Sequence, residues 1–256
     1  NTDRVTTRLL FICVYLCASV AGCSAPALAQ ADYAREQRWA DEIVPGIVGG
    51  DPVTLEASGR RFLAIWTPGA KAAAGVIVVH GLGMHPDWGL INPLRSQLAE
   101  QGYATLSVQM PVASKEARAD RYPPLFAEGA ERLRAAVGYL RAKGVKPIAI
   151  VSHSMGARMA NHFLSRAGDA RVDAWVAIGI QGEFAEPATL KAPVLDLYGG
   201  LDQPAVIEGA PARAAVLRSL RGSAQVQVPG ADHFFAGMET ELVRRTRQFL
   251  DARLKP

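Results

Sequence analysis

Cysteine occurs three times in the chain, at Cys13, Cys17 and Cys23, and nowhere after residue 23. Everything downstream therefore has no disulfide framework and no cysteine metal site, and its stability must come from packing. Long apolar runs are equally scarce. The only one is "LLFICVYLCASVAG" (9 to 22), which is short for a membrane span and has the length of a signal-peptide core, with Arg4 and Arg8 before it. Two processing readings stay open. Small residues in "APALAQ" (25 to 30) suit cleavage of a signal peptide 1 to 29, whereas "VAGC" (20 to 23) suits lipidation of Cys23 and a leader 1 to 22. Either way the expectation is export from a bacterial cytoplasm to the periplasm, with no transmembrane span in the mature chain and a lipid anchor through Cys23 as the alternative to a soluble form. The chain does not begin with Met, so its true start is left open.

Charge of one sign is also lacking. The formal net charge is +4, and no Lys/Arg block with interleaved aromatics is present, which argues against a nucleic-acid partner. A dinucleotide fingerprint fails too, because GxGxxG starting at Gly81 would need glycine where Pro86 stands. No low-complexity tract or solenoid repeat appears. No clustered metal ligands can be read from spacing, so neither metal nor cofactor is expected. What remains, 49% hydrophobic and 20% charged in 256 residues, is the composition of a globular protein with one sizeable core. The division expected is an N-terminal segment 30 to 50 and one domain over 51 to 256.

Within that domain two periodicities alternate. "VTLEA" (53 to 57) and "RFLAIW" (61 to 66) flank "SGR" and read as an antiparallel hairpin. Then come "AGVIVVH" (74 to 80), "YATLSVQM" (103 to 110), "PIAIVS" (147 to 152), "DAWVAIGI" (173 to 180), "APVLDLYG" (192 to 199) and "AQVQVP" (224 to 229). Their short, mostly continuous apolar character suits strands covered on both faces. Helical patterns lie between them. Asn92 and Pro93 read as cap and first turn of one helix stopped by Gly102, and 125 to 143 forms another before Gly144. Others are expected over 155 to 167, from Pro211 to about 221, and over 238 to 253. The fold class is α/β: a three-layer sandwich with a mostly parallel, doubly wound sheet of about eight strands and a hairpin at its start. In such sheets ligands sit beyond the carboxyl ends of the strands.

At one such end stands "SHSMG" (152 to 156), between a strand and a helix. A sharp strand-to-helix turn holds its middle serine, Ser154, in a strained conformation, and small residues two positions away let strand and helix close. Gly156 meets that need; Ser152 stands where the motif usually has glycine. The plain reading is that Ser154 caps the helix. At the end of an earlier strand, "VVHGLG" (78 to 83) offers a turn whose backbone N–H groups could face a substrate oxygen, with Leu82 one donor and Met155 the other. Two more strand ends present Asp202 in "LYGGLDQP" (197 to 204) and His233 in "PGADHFF" (229 to 235). A histidine that takes the serine proton and a carboxylate that fixes its tautomer complete a nucleophilic relay.

From about residue 51 to 254 the chain resembles the α/β hydrolase superfamily, and within it a group of exported bacterial members of unassigned function. The segments "HGLG", "SHSMG", "LD" and "DHFF" sit where that superfamily keeps its oxyanion loop, nucleophile, acid and histidine. The chain order Ser154, Asp202, His233 is that superfamily's order. The resemblance implies a serine hydrolase that cleaves an ester-like acyl bond of a small-molecule acyl substrate through an acyl-enzyme. Carboxylesterase is the broadest name, and thioesterase, peptidase and acyltransferase share the machinery. The rival from another class is a hydrolase-shaped envelope protein that binds a ligand or partner without turnover.

Other residues have competing readings. Asp196 could replace Asp202 as the acid but lies inside a strand, and Glu183 and Glu186 follow the preceding one. His80, His85 and His153 lie near the expected mouth, where a histidine more often braces a loop than performs chemistry. His162, on a helix, reads as structural. Trp88 and Phe234 could line an acyl pocket or simply pack. The short connection between the strands at 173 to 180 and 192 to 199 leaves little room for a cap. The loop 111 to 124, with Lys115, Arg118 and Arg121, could cover the site from another side, its cations reading as solvated surface.

Overall fold

The computed structural model describes residues 31–69 and 74–254. The leader, with its Cys23 and cleavage readings, lies outside those residues. Eight strands form one sheet in the order β1-β2-β4-β3-β5-β6-β7-β8. In sequence they are β1 (Asp51–Ala57), β2 (Arg60–Thr67), β3 (Gly75–Val79), β4 (Ala104–Val108), β5 (Ile148–His153), β6 (Ala174–Ile178), β7 (Val194–Leu201) and β8 (Ala224–Asp232). β1 and β2 pair as the expected hairpin, β2 joins β4 antiparallel, and every pairing from β4 to β8 is parallel. The hairpin turns at Ser58 and Gly59, both with positive φ, which matches the twist of the paired strands.

Among the described residues six α-helices cover this sheet: α1 (Tyr33–Ile43), α2 (Ile91–Glu100), α3 (Phe126–Ala142), α4 (Met155–Leu164), α5 (Pro204–Ser219) and α6 (Glu239–Leu254). The continuous apolar runs have a simple cause, since their alternate residues serve two cores. In β3, Ile77 and Val79 join the cluster under α3 and α4, while Val76 and Val78 join the cluster under α2 and α6. β5 divides likewise, with Ile148 and Ile150 on one side and Ala149 and Val151 on the other. A polar residue anywhere in these strands would have no face to turn toward water.

Two expectations need correction. Pro211 does not open a helix but lies within α5, which begins at Pro204. The fixed φ of Pro204 suits a first turn, and the side chains of Arg213 and Gln225 donate to the carbonyls of Val206 and Ala210, in the turn before Pro211. Asn92 is not the cap of α2, which starts a residue earlier; its amide instead donates to Asp87, which also receives Arg95. The segment 30 to 50 contains α1, capped by the Asp32 side chain accepting from the Arg35 N–H.

α1 is tied down by charge. The fully buried Arg132 of α3 donates to both carboxylate oxygens of Glu36, to Glu128 and to the Gln109 carbonyl. Burial pushes the Glu36 pKa up, against the pull of Arg132. Arg35 donates to the carbonyls of Ala113 and Gly83, so the helix also braces the loops after β3 and β4.

Candidate active site

Ser154 stands immediately after β5, at φ 54° and ψ −119°, a backbone conformation that costs a non-glycine residue energy and persists only where its surroundings hold it. What holds it is close packing. A Cβ on Gly156 would come within 2.1 Å of the His80 carbonyl oxygen, so α4 can approach β3 only because that residue is glycine. Ser154 occupies the cap position of α4, yet its side chain makes no capping bond, so the plain reading of this serine fails. Its hydroxyl faces His233 instead.

Ser154 Oγ lies 2.9 Å from His233 Nε2, and His233 Nδ1 lies 2.6 Å from Asp202 Oδ1. With the proton on Nδ1, the ring donates to Asp202 and accepts from the serine hydroxyl. All three side chains are buried, and each follows directly on the last residue of its strand: Ser154 on β5, Asp202 on β7, His233 on β8. Asp202 also accepts from the backbone N–H groups of Gln203 and Gly199. Burial pushes its carboxyl pKa up, but the His233 contact and these two N–H groups outweigh that, and it lies below the ordinary aspartate value.

The turn after β3 reaches the same spot. A Cβ on Gly81 would lie 3.2 Å from Ser154 Cβ, so the turn carrying half-buried Leu82 packs directly on the serine. Met155 is the first residue of α4, where backbone N–H groups have no partner within the helix. Both residues named as amide donors therefore border Ser154.

The other candidates fall away from the serine or brace it. Asp196 stays inside β7 and pairs with Arg213 at 2.8 Å and Gln225 at 2.7 Å. Glu183 is exposed, and Glu186 pairs with Arg166 on the surface. His80 is buried in the loop framework, accepting the Met110 N–H and meeting the Gly81 carbonyl; burial lowers its pKa to about 3. His153, also lowered to about 3 by burial, donates from Nε2 to the His233 carbonyl at 3.0 Å. It thereby fixes the backbone of the residue that faces the serine. His85 accepts from the Asp87 N–H, and His162 packs edge-on against Phe126. Lys115, Arg118 and Arg121 are exposed.

Ser152 has a use that glycine could not serve. Its Oγ accepts from the indole N–H of the fully buried Trp175 at 2.8 Å and donates to the Val176 carbonyl at 3.3 Å. No sequence pattern announced this partnership, because the two residues lie 23 positions apart. α1 was likewise missed, although Asp32 followed by twelve residues free of Gly and Pro was a readable signal.

A concavity of about 690 Å³ opens at the opposite ends of the strands, lined by Trp175, Pro193 and neighbours at the amino ends of β6 and β7, and holds none of these groups. Among the described residues no three His, Cys, Asp or Glu converge as metal ligands, and no helix is long and apolar enough to cross a membrane.

An eight-stranded, mostly parallel sheet with a serine at a strained strand-to-helix turn has the α/β hydrolase fold, and solved structures bear this out. A dienelactone hydrolase from Anabaena variabilis superposes with TM-score 0.68 at 21% identity, covering 81% of this chain and 100% of that one. A serine hydrolase without lid from Xanthomonas campestris gives 0.64 at 17%, covering 82% and 97%. The esterase Est1E from Butyrivibrio proteoclasticus gives 0.63 at 16%, covering 78% and 97%. Residues 48–128 and 125–252 match the family described as Protein of unknown function (DUF3530), and the chain belongs to that family. No curated protein matches it.

Proposed function

We propose that this protein is an exported serine hydrolase that cleaves an ester-like acyl bond. The observation that carries the reading is the continuous relay from Ser154 through His233 to Asp202, at 2.9 and 2.6 Å. In the first half-reaction, Ser154 Oγ attacks the substrate carbonyl while His233 Nε2 takes its proton. His233 returns that proton to the leaving oxygen, and an acyl-Ser154 remains. In the second, water adds to the acyl group with His233 as base, and the acid departs. Asp202 holds the imidazole with its Nδ1–H directed at the carboxylate. The amides of Leu82 and Met155 stabilise the oxyanion, a contribution of roughly 3 to 4 kcal/mol per donor at related sites. That the superposed proteins include a dienelactone hydrolase, a serine hydrolase and an esterase supports the reaction class.

The test treats the purified protein with a fluorophosphonate probe and a short-chain p-nitrophenyl ester. Labelling and turnover are expected in the wild type and absent from Ser154→Ala and His233→Ala. A folded wild type that neither labels nor turns over the ester would overturn the reading and favour a ligand-binding protein of the same shape.

A further inference from the structure

Few large apolar side chains stay in water on this molecule, and they are not scattered. Among the described residues they are Val48, Trp88, Leu201, Ile207 and Phe234. Trp88 and Phe234 come from the segments that follow β3 and β8, Leu201 is the last residue of β7 and Ile207 lies in α5 just after it; the ends of these strands border Ser154, Asp202 and His233. Two of them touch. The Trp88 and Phe234 rings meet edge-to-face with centroids 5.5 Å apart, although Trp88 remains 36% and Phe234 38% exposed. Phe234 in turn stands 5.1 Å from the His233 ring, again edge-to-face, and 5.8 Å from that of His153.

This position is informative because the histidine does its two jobs on different oxygens. After taking the serine proton, His233 Nε2 must hand it to the oxygen that leaves, so that oxygen comes within hydrogen-bond reach of the imidazole. The substituent on it then lies on the histidine's side of the serine, where Phe234 and Trp88 leave apolar surface unpaired. An aryl or extended apolar group there would cover both rings and complete an aromatic cluster. We infer that the Trp88–Phe234 pair receives the alcohol half of the substrate and that this alcohol is aromatic or similarly bulky and apolar. The inference rests on the hydrolase reading. In the step it serves, the acyl carbon to alcohol oxygen bond breaks, the acyl carbon to Ser154 Oγ bond forms, and the serine proton leaves with the alcohol.

The experiment holds the acyl group constant and varies the alcohol among those of comparable acidity. Ethyl, benzyl and 2-naphthylmethyl acetate are compared by kcat/KM in the wild type, Phe234→Ala and Trp88→Ala, with Val48→Thr as a control away from the site. The expected result is a wild-type preference of roughly tenfold or more for the aromatic alcohols, a range that apolar pockets reach. That ratio should collapse to within about threefold in Phe234→Ala, fall in Trp88→Ala and persist in Val48→Thr. A wild type that shows no such preference, or one that both substitutions leave unchanged, overturns the inference. A second readout does not need turnover: calorimetric titration of Ser154→Ala with 2-naphthylmethanol, repeated with Phe234→Ala added. Binding that depends on Phe234 in a protein whose wild type never labels or hydrolyses would keep the ring site and remove the hydrolase reading. Labelling and ester turnover without Phe234-dependent binding would do the reverse.

Discussion

Asp196 and Asp202 belong to the same stretch of chain, both are buried, and each contacts a basic partner, yet their surroundings differ. Asp196, inside β7, is clamped by Arg213 and Gln225 on one oxygen, while its other oxygen has no hydrogen-bond partner. Burial pushes its pKa up. Asp202, one residue past β7, meets His233 and two backbone N–H groups and titrates below the ordinary value. The difference lies less in the acids than in what they hold. A guanidinium stays charged at any working pH and can pass nothing on, whereas an imidazole can lose and regain a proton. A carboxylate beside an arginine braces the structure; one beside a histidine that faces a hydroxyl can orient chemistry.

That contrast can be tested at both ends. The largest effect expected is on Asp202→Asn, which should lower kcat by about 10⁴ while leaving the urea midpoint close to wild type, by analogy with triads of this kind. Kinetics with Asp196→Asn in parallel decide it: if Asp196→Asn proved crippling and Asp202→Asn harmless, the roles assigned here would be exchanged. Next, Arg213→Ala should cost about 3 to 5 kcal/mol of stability, because it strands a buried carboxylate. Replacing the pair together, as Asp196→Leu with Arg213→Met, should recover much of that loss in denaturant titrations. No recovery would mean the pair contributes more than mutual charge compensation.

The histidines repeat the comparison on a smaller scale. His80 and His153 are buried as neutral rings with pKa near 3, below the ordinary histidine value of 6.5. Between those limits the unfolded chain binds protons that the folded one does not, so stability falls as pH drops through the window from about 6.5 toward 3. Each histidine contributes a slope of up to about 1.4 kcal/mol per pH unit. Glu36 and Asp196, whose pKa values burial raises, oppose this near the acid end, so the measurement is a difference between variants. His153→Asn, which keeps a donor, should show a shallower loss between pH 6.5 and 5 than the wild type, by about one proton. Equal slopes would refute the neutral, buried assignment. The smallest effect belongs to Ser152→Gly. It strands the Trp175 indole N–H, costs about 1 to 3 kcal/mol in thermal or urea unfolding, and should leave the Ser154 to His233 relay competent.

The strands were legible because β3 and the first four residues of β5 feed two cores at once, a demand that writes itself as a continuous apolar run. Ser154, Asp202 and His233 stood out for a different reason: each is the first residue beyond a strand. Helix starts were harder. Pro211 looked like an opening and is an interior residue, because Pro204 already supplies the first turn and side chains serve the neighbouring carbonyls. Contacts between distant residues, such as Ser152 with Trp175 or Arg132 with Glu36, have no local periodicity and appear only once the chain is folded.

The extent of the shared family region has a practical corollary. The match begins at residue 48, after α1, yet Arg132 and the Gly83 carbonyl both look to that helix for a partner. A chain trimmed to that boundary would keep every residue of the relay but leave the buried Arg132 with Glu128 and without Glu36. A piece that keeps these contacts is therefore longer than the region the family match covers.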